Sequence, residues 1–311
     1  MAFPLKALAG AATAAAAFFW CGAAAAQASA PPANPSAQQP TLEKIKAAGK
    51  VVLGVREASP PMAYALGANE KFVGYHVELC ERVMKEIAPQ ARLEYMAVTA
   101  QNTLALVQNG TIDIGCGPTT NNTARQQQVA FAVTTYVSEV RMAVRADSDL
   151  NSVSQLGGRT VAASAGTTAV QMLRKQERAL GAPIKTLLGK DHQESFLLME
   201  SGRADAFVLD DNLLAGAIAT SKDPAAYRIA GEPMGSEPIA LLFRKDDPAF
   251  KAGVDGVLVR LMQTGELEKI YAKWFTSPIP PRNLSLNLPM SGTLRQLIAA
   301  PNDKPLEAYL K

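Results

Sequence analysis

The chain has only two histidines, His76 and His192, and three cysteines, Cys21, Cys80 and Cys116. It contains no C-x-x-C pair and no H-E-x-x-H run. Such a small stock of soft ligands argues against a thiolate- or imidazole-bound metal centre, and no cofactor is implied. Charge of one sign is also scarce. Lys and Arg number 31 against 28 Asp and Glu, a formal net charge of +3 with no basic run or stripe. That excess is too small to be the electrostatic footprint of a nucleic-acid-binding protein. Beyond residue 30 no apolar stretch is long enough to cross a bilayer.

The rest is ordinary globular composition. Apolar residues make up 48% and charged residues 19%, which excludes a disordered or fibrous chain. A length of 311 residues fits roughly two domains.

The N-terminus reads as an address. Lys6 supplies one positive charge, residues 7–26 are free of charge, and Ala26-Gln27-Ala28 and Ala28-Ser29-Ala30 both fit an A-x-A cleavage site. Residues 1–28 are therefore expected to be a secretory signal peptide. An uncleaved membrane anchor and lipidation at Cys21 are the alternatives. Bulky Phe19 and Trp20 stand just before Cys21, where lipoprotein signals carry small residues. Residues 29–40 are rich in Pro, Ala, Ser and Gln, have no face to bury, and are expected to form a disordered leader. Export would place Cys80 and Cys116 in an oxidising compartment. A bridge between them would close a 36-residue loop and contribute about 4 kcal/mol on the chain-entropy model. Two buried free thiols are the alternative.

Periodicity predicts alternating strands and helices. Residues 41–49 form a helix stopped by Gly49. Strands follow at 51–55, 93–98 and 112–116, with helices after Gly74 and at 102–108. This βαβαβ order predicts a parallel sheet flanked by helices. The pattern restarts with strands at 140–144, 159–163, 184–188 and 206–209 and helices at 168–180, 193–201 and 212–220. Further strands are expected at 227–230 and 239–243, then helices at 248–262 and 266–275. The proline-rich residues 276–311 read as an irregular surface tail. The expected layout is a first lobe of 41–136 with 239–280, a second lobe of 137–238, and a C-terminal tail of 281–311. Two crossovers, near 134–140 and 234–239, would form a hinge; two lobes in series with a fixed interface are the alternative.

Polar loops follow several of these strands, where open α/β sheets bind ligands. Arg56-Glu57-Ala58-Ser59-Pro60-Pro61 is one. Residues 117–126 form another and carry Thr120 and Arg125. Ser164-Ala165-Gly166-Thr167-Thr168 is the third. The fourth combines Lys190-Asp191-His192 with Gly202-Arg203-Ala204-Asp205, leading to Asp210-Asp211.

In order, "VREASPPMAY", "VGYHVELC", "QNG", "TTNNTARQ", "AGTT", "KDHQESF", "ESGRADAF", "RKDDP", "KWF", "PIPPRNL" and "PNDK" resemble the periplasmic amino-acid-binding proteins of ABC importers. The likeness is closest to their glutamate/aspartate-binding branch and runs from about Thr41 to Asp303. It implies a two-lobed α/β fold of the periplasmic-binding-protein type II. Mixed sheets would be flanked by helices, with a two-strand hinge. It also implies a monomer that captures an amino acid in the periplasm and delivers it to a membrane permease with cytoplasmic ATPase subunits.

The resemblance assigns roles residue by residue. Arg125 would bind the ligand's α-carboxylate, a group that planar guanidinium grips bidentately. Thr120 and Thr168 would add hydroxyl or backbone donors. Thr167 and Thr168 also start a helix and could simply cap it. Asp210 would take the α-ammonium, with Asp211 as its alternative or as the helix cap. Arg56 and His192 would face the ligand's side chain. Two positions depart from the branch. Its Ser-Gln-Asn-Arg stands here as Ala100-Gln101-Asn102-Thr103, so Thr103 replaces an arginine, and a strand-end serine is Pro118. A neutral polar or modified amino acid is therefore the alternative to glutamate or aspartate. A periplasmic dehydratase with Glu57 or Asp210 as acid or base, and a sensor module, are weaker readings. No nucleophile–base pair is recognisable, so no enzyme is expected.

Overall fold

A computed structural model describes residues 39–67 and 71–309. The expected signal peptide and residues 29–38 of the expected leader lie outside the described residues. Helix α1 (Thr41–Ala48) stops at Gly49, whose φ of 62° suits a residue without a side chain. Strand β1 (Lys50–Arg56) follows. Its Val51, Leu53 and Val55 are fully buried, each contributing about 1.5–3 kcal/mol by leaving water. Three short strands, β2 (Ala58–Ser59), β3 (Ala63–Leu66) and β4 (Lys71–Val73), form a small antiparallel sheet of their own. Helix α2 (Tyr75–Ile87) buries Leu79, Cys80, Val83 and Met84 along one stripe. Strand β5 (Arg92–Val98), helix α3 (Thr103–Gln108) and strand β6 (Ile114–Thr120) complete the first α/β run. A one-turn helix α4 (Thr123–Gln126) and strand β7 (Val129–Phe131) lead into strand β8 (Tyr136–Arg145).

The second run is β9 (Thr160–Ser164), α5 (Thr168–Leu180), β10 (Lys185–Gly189), α6 (His192–Glu200), β11 (Ala206–Asp210) and α7 (Asp211–Thr220). Strand β12 (Tyr227–Arg244) returns the chain, followed by α8 (Pro248–Gln263), α9 (Glu266–Phe275), β13 (Pro278–Ile279), β14 (Leu284–Ser285) and α10 (Gly292–Ala299).

The nine-stranded sheet has the order β10-β9-β11-β8-β12-β6-β1-β5, with β7 also on β12. Strands β5, β1 and β6 are parallel in one lobe, and β10, β9 and β11 are parallel in the other. Antiparallel β8 and β12 join them. Tyr136–Val140 of β8 pairs with residues 239–235 of β12, so two adjacent strands carry the chain between lobes.

Two expectations need correction. The strands expected at 227–230 and 239–243 are one 18-residue strand, irregular between Ala230 and Gly235. Pairing with β8 resumes beyond that irregularity and carries the strand through a stretch of Gly and Pro. The expected irregular tail contains the β13–β14 hairpin and helix α10, which buries Leu294, Leu297 and Ile298. The end of the chain also braces a loop of the first lobe. Leu306 donates its amide to the Asn121 carbonyl at 2.8 Å, and Glu307 Oε2 accepts from the Thr123 amide and hydroxyl at 2.9 and 2.8 Å. Cys80 of α2 and Cys116 of β6 form a disulfide, with both residues fully buried.

Candidate functional site

Arg56, Thr120, Ser164, Gly189 and Asp210 are the last residues of β1, β6, β9, β10 and β11. Parallel strands within a lobe end on the same side, so the polar residues of each lobe gather at one edge, where open sheets bind ligands.

Arg125 sits on α4, whose start is fixed by Asn122: its Oδ1 accepts the Arg125 amide at 2.9 Å. The guanidinium donates to the Thr120 carbonyl at 3.0 Å and, across the lobes, to the Gly166 carbonyl at 3.2 Å. Burial pulls its pKa below the ordinary value, while Glu237 and Asp210 pull the other way.

Thr120 and Thr168, from opposite lobes, meet on a residue absent from the sequence reading. Glu237 of β12 is fully buried, and its Oε2 accepts from Thr120 Oγ1 at 2.6 Å and from Thr168 Oγ1 at 2.9 Å. Its Oε1 has no protein partner. Burial raises the Glu237 pKa. Gly235-Ser236-Glu237-Pro238 looks like a surface turn in sequence. The available signal is an acid inside an expected crossover. Neither threonine caps α5: the Thr167 hydroxyl donates to the Ser164 carbonyl at 2.7 Å, and that of Thr168 turns to Glu237.

Asp210 accepts from Ser138 Oγ at 2.6 Å. Its pKa is pushed up to about 7, first by burial and then by the neighbouring charge of Glu237. Asp211 turns to the backbone, its Oδ1 accepting from the amides of Asn212 at 2.8 Å and Glu139 at 3.2 Å.

Arg56 and His192 come together from different lobes. Arg56 is 6% exposed, and its Nε donates to Thr103 Oγ1 at 3.3 Å. Burial and the Arg125 charge pull its pKa down to about 9, so it stays cationic at neutral pH. His192 Nδ1 hydrogen-bonds with Ser164 Oγ at 2.7 Å. Burial and the Arg56 charge lower its pKa to about 3, so the ring is neutral. A hollow of about 20 Å³ touches Arg56, Ser164 and His192. A larger cavity of about 620 Å³ lies outside, against Tyr64, Phe196 and Leu197, and also borders His192.

The lobes touch through backbone at two glycines. A Cβ on Gly166 would lie 2.7 Å from Gln101 Cα, and one on Gly216 would lie 2.0 Å from the Pro60 carbonyl oxygen. Both positions exclude any side chain while the lobes are together.

Two lobes joined by two strands, with Arg56 and Arg125 on one and Asp210 on the other, define a two-lobed solute-binding protein. Residues 51–277 match the bacterial extracellular solute-binding proteins, family 3, and the chain belongs to that family. It is 42% identical over 272 residues to the L-glutamate/L-aspartate-binding protein of Pseudomonas aeruginosa, covering 86% of this chain and 90% of that one. It is 39% identical over 271 residues to the glutamate/aspartate import solute-binding protein of Escherichia coli, covering 86% and 89%. In three dimensions it is similar to the crystal structure of a cysteine-binding protein from Campylobacter jejuni. There the TM-score is 0.69 at 28% identity, over 76% of this chain and 93% of that one. Among the described residues no helix is long and apolar enough to cross a membrane.

Proposed function

We propose that the protein captures glutamate or aspartate in the periplasm, after export by a cleaved signal peptide, and delivers it as a monomer to an ABC permease and its ATPase subunits. The chemistry is binding, not catalysis. Arg125 takes the α-carboxylate, Asp210 the α-ammonium, and Arg56 beside His192 the side chain. The carrying observation is that the Arg125 guanidinium and the Asp210 carboxyl stand on opposite lobes, so a zwitterion, whose ammonium favours the ionised form of Asp210, joins the lobes through its own two ends. Similarity to two proteins named for glutamate and aspartate supports the ligand class. Residues 41–136 with 239–280 and residues 137–238 are the two moving bodies. Open and closed forms exchange about β8 and β12, and ligand favours the closed form because only that form contacts it from both sides.

One observation favours a second reading, a neutral polar or modified amino acid. Arg56 brings a guanidinium to the side-chain end, but Thr103 brings only a hydroxyl and His192 is neutral. A thermal-shift screen of the natural amino acids and dicarboxylates tests both readings. A ligand at about 100 times its dissociation constant adds about 2.7 kcal/mol of stability. Shifts with glutamate and aspartate support the first reading, a shift with a neutral amino acid alone supports the second, and no shift at all removes both.

A further inference from the structure

Helix α4, which carries Arg125, is four residues long, and a helix that short does not hold itself in water. The turn it belongs to is braced by the far end of the chain. Asn121 is fully buried. Its side-chain amide donates to the Asp303 carbonyl at 2.9 Å, and its own carbonyl accepts the Leu306 amide at 2.8 Å. Gln126 Nε2 donates to Asn121 Oδ1 at 2.8 Å and to the Asp303 carbonyl at 3.0 Å. Glu307 Oε2 accepts from both the amide and the hydroxyl of Thr123, the first residue of α4, 184 positions earlier. This strap of residues 302–307 is itself tied down elsewhere. The Asn302 carbonyl accepts the Thr134 amide at 2.9 Å, and Asp303 Oδ2 pairs with Lys251 of α8 at 2.9 Å. Asp303 and Leu306 reach the turn with backbone, which a substitution leaves in place, whereas Glu307 reaches it with a side chain.

We infer that Glu307 is a positioning residue for ligand capture: from the C-terminal strap it fixes the turn at 121–126 and so aligns the Arg125 guanidinium before ligand arrives. The inference rests on the reading above that Arg125 takes the α-carboxylate, and deepens it. With the lobes together, the guanidinium is steadied by the Thr120 carbonyl of its own lobe and the Gly166 carbonyl of the other. When the lobes part, the Gly166 contact is lost, and the aim of the side chain depends on Thr120 and on the turn. A loose turn would have to be ordered by the ligand at a cost in affinity, whereas a braced one presents its fork ready made. A carboxylate suits the brace, because it meets two donors of one residue, one of them a free amide at the start of a helix. Glu307 acts through Thr123 and the backbone, not by touching the ligand.

The test is isothermal titration of L-glutamate, L-aspartate and L-glutamine into the purified wild-type protein and two variants. Glu307→Ala removes both bonds to Thr123. It should weaken every one of these ligands that the wild type binds, about fivefold or more and by a common factor, because the strap acts on the α-carboxylate end that all three share. Glu307→Gln keeps an oxygen that accepts from Thr123 and should recover most of the loss. Glu307 is exposed, so both variants should fold like wild type by circular dichroism. Failure of Glu307→Gln to recover affinity would make the effect one of net charge and overturn the inference. A factor that differs between ligands would place the effect at their side-chain end and overturn it too. Wild-type affinity in Glu307→Ala, whatever its melting temperature, would reduce the strap to a structural prop and remove the inference alone. Wild-type protein that binds none of the three ligands removes the capture reading and the inference with it.

Discussion

Arg56 Nε donates to Thr103 Oγ1 across 3.3 Å, and Thr103 Oγ1 in turn donates to the Thr99 carbonyl at 2.5 Å. A buried guanidinium is thus tethered by a neutral hydroxyl at the first residue of α3, where the acidic-ligand branch that the sequence resembles has a second arginine. Thr103→Arg should raise the preference for glutamate over glutamine by about tenfold, since a desolvated charge pair commonly contributes a few kcal/mol. Titration of both ligands into the variant checks this. An unchanged ratio would mean that position 103 does not face the ligand's side chain.

Asp210 links binding to stability. Its folded pKa of about 7 lies above its ordinary 3.8. Between those values the folded protein holds a proton that the unfolded chain has released, so this contribution to stability is lost as pH rises through the window. Asp210→Asn removes the buried charge. The ligand-free variant should be more stable than wild type at pH 8, by on the order of 1–4 kcal/mol, yet show no thermal shift with glutamate. A lower melting temperature, or a surviving ligand shift, would refute the assignment.

The histidines act with the opposite sign. His76 is fully buried between the Gly117 carbonyl and Thr135 Oγ1, and burial lowers its pKa to about 4. His192 falls to about 3. Below their ordinary 6.5 the unfolded chain takes up protons that the folded protein refuses, so stability falls as pH drops from 6.5 toward 3. His192→Gln should flatten this acid limb in a melting-temperature profile while leaving stability at pH 8 nearly unchanged. An unaltered acid limb would show that the ring is not held neutral by its burial beside Arg56.

The Cys80–Cys116 bridge closes a 36-residue loop that ties α2 to β6. Its loss should cost about 4 kcal/mol on the chain-entropy model. Denaturant titration of the Cys80→Ala, Cys116→Ala double variant measures the difference. A loss near zero would mean that packing alone fixes α2 on the strand that carries Thr120.

Much of this architecture is legible because it follows local rules. Helix α5 spans the 168–180 read from its pattern, since Gly166 and Gly181 bound an amphipathic run. Strands β1 and β11 are largely apolar runs that end on Arg56 and Asp210, two of the residues taken as ligand candidates. Arg125 is singled out in sequence by its loop and the family resemblance. What escaped depends on distant contacts. Glu237 sits among residues that favour turns, and only threonines from two lobes make its burial intelligible. The prolines of 276–311 masked α10 because a breaker signals where a helix cannot run, whereas Ser291 caps one between them, its Oγ accepting the Leu294 amide at 3.1 Å.

Gly216 allows closure itself to be tested. It lies inside α7, where alanine is ordinarily better than glycine by about 1 kcal/mol. Here an added Cβ would stand 2.0 Å from the Pro60 carbonyl oxygen of the other lobe. Neither backbone can yield without moving its lobe. Gly216→Ala should therefore leave the ligand-free protein as stable as wild type or slightly more so, while forbidding the contact that brings the lobes together. If only the closed form grips ligand from both sides, glutamate affinity should fall about tenfold or more through faster dissociation. Small-angle scattering with saturating glutamate should also no longer show the compaction expected of wild type. Wild-type affinity in the variant would show that ligand is held without α7 meeting Pro60, and the two-sided grip would have to be abandoned.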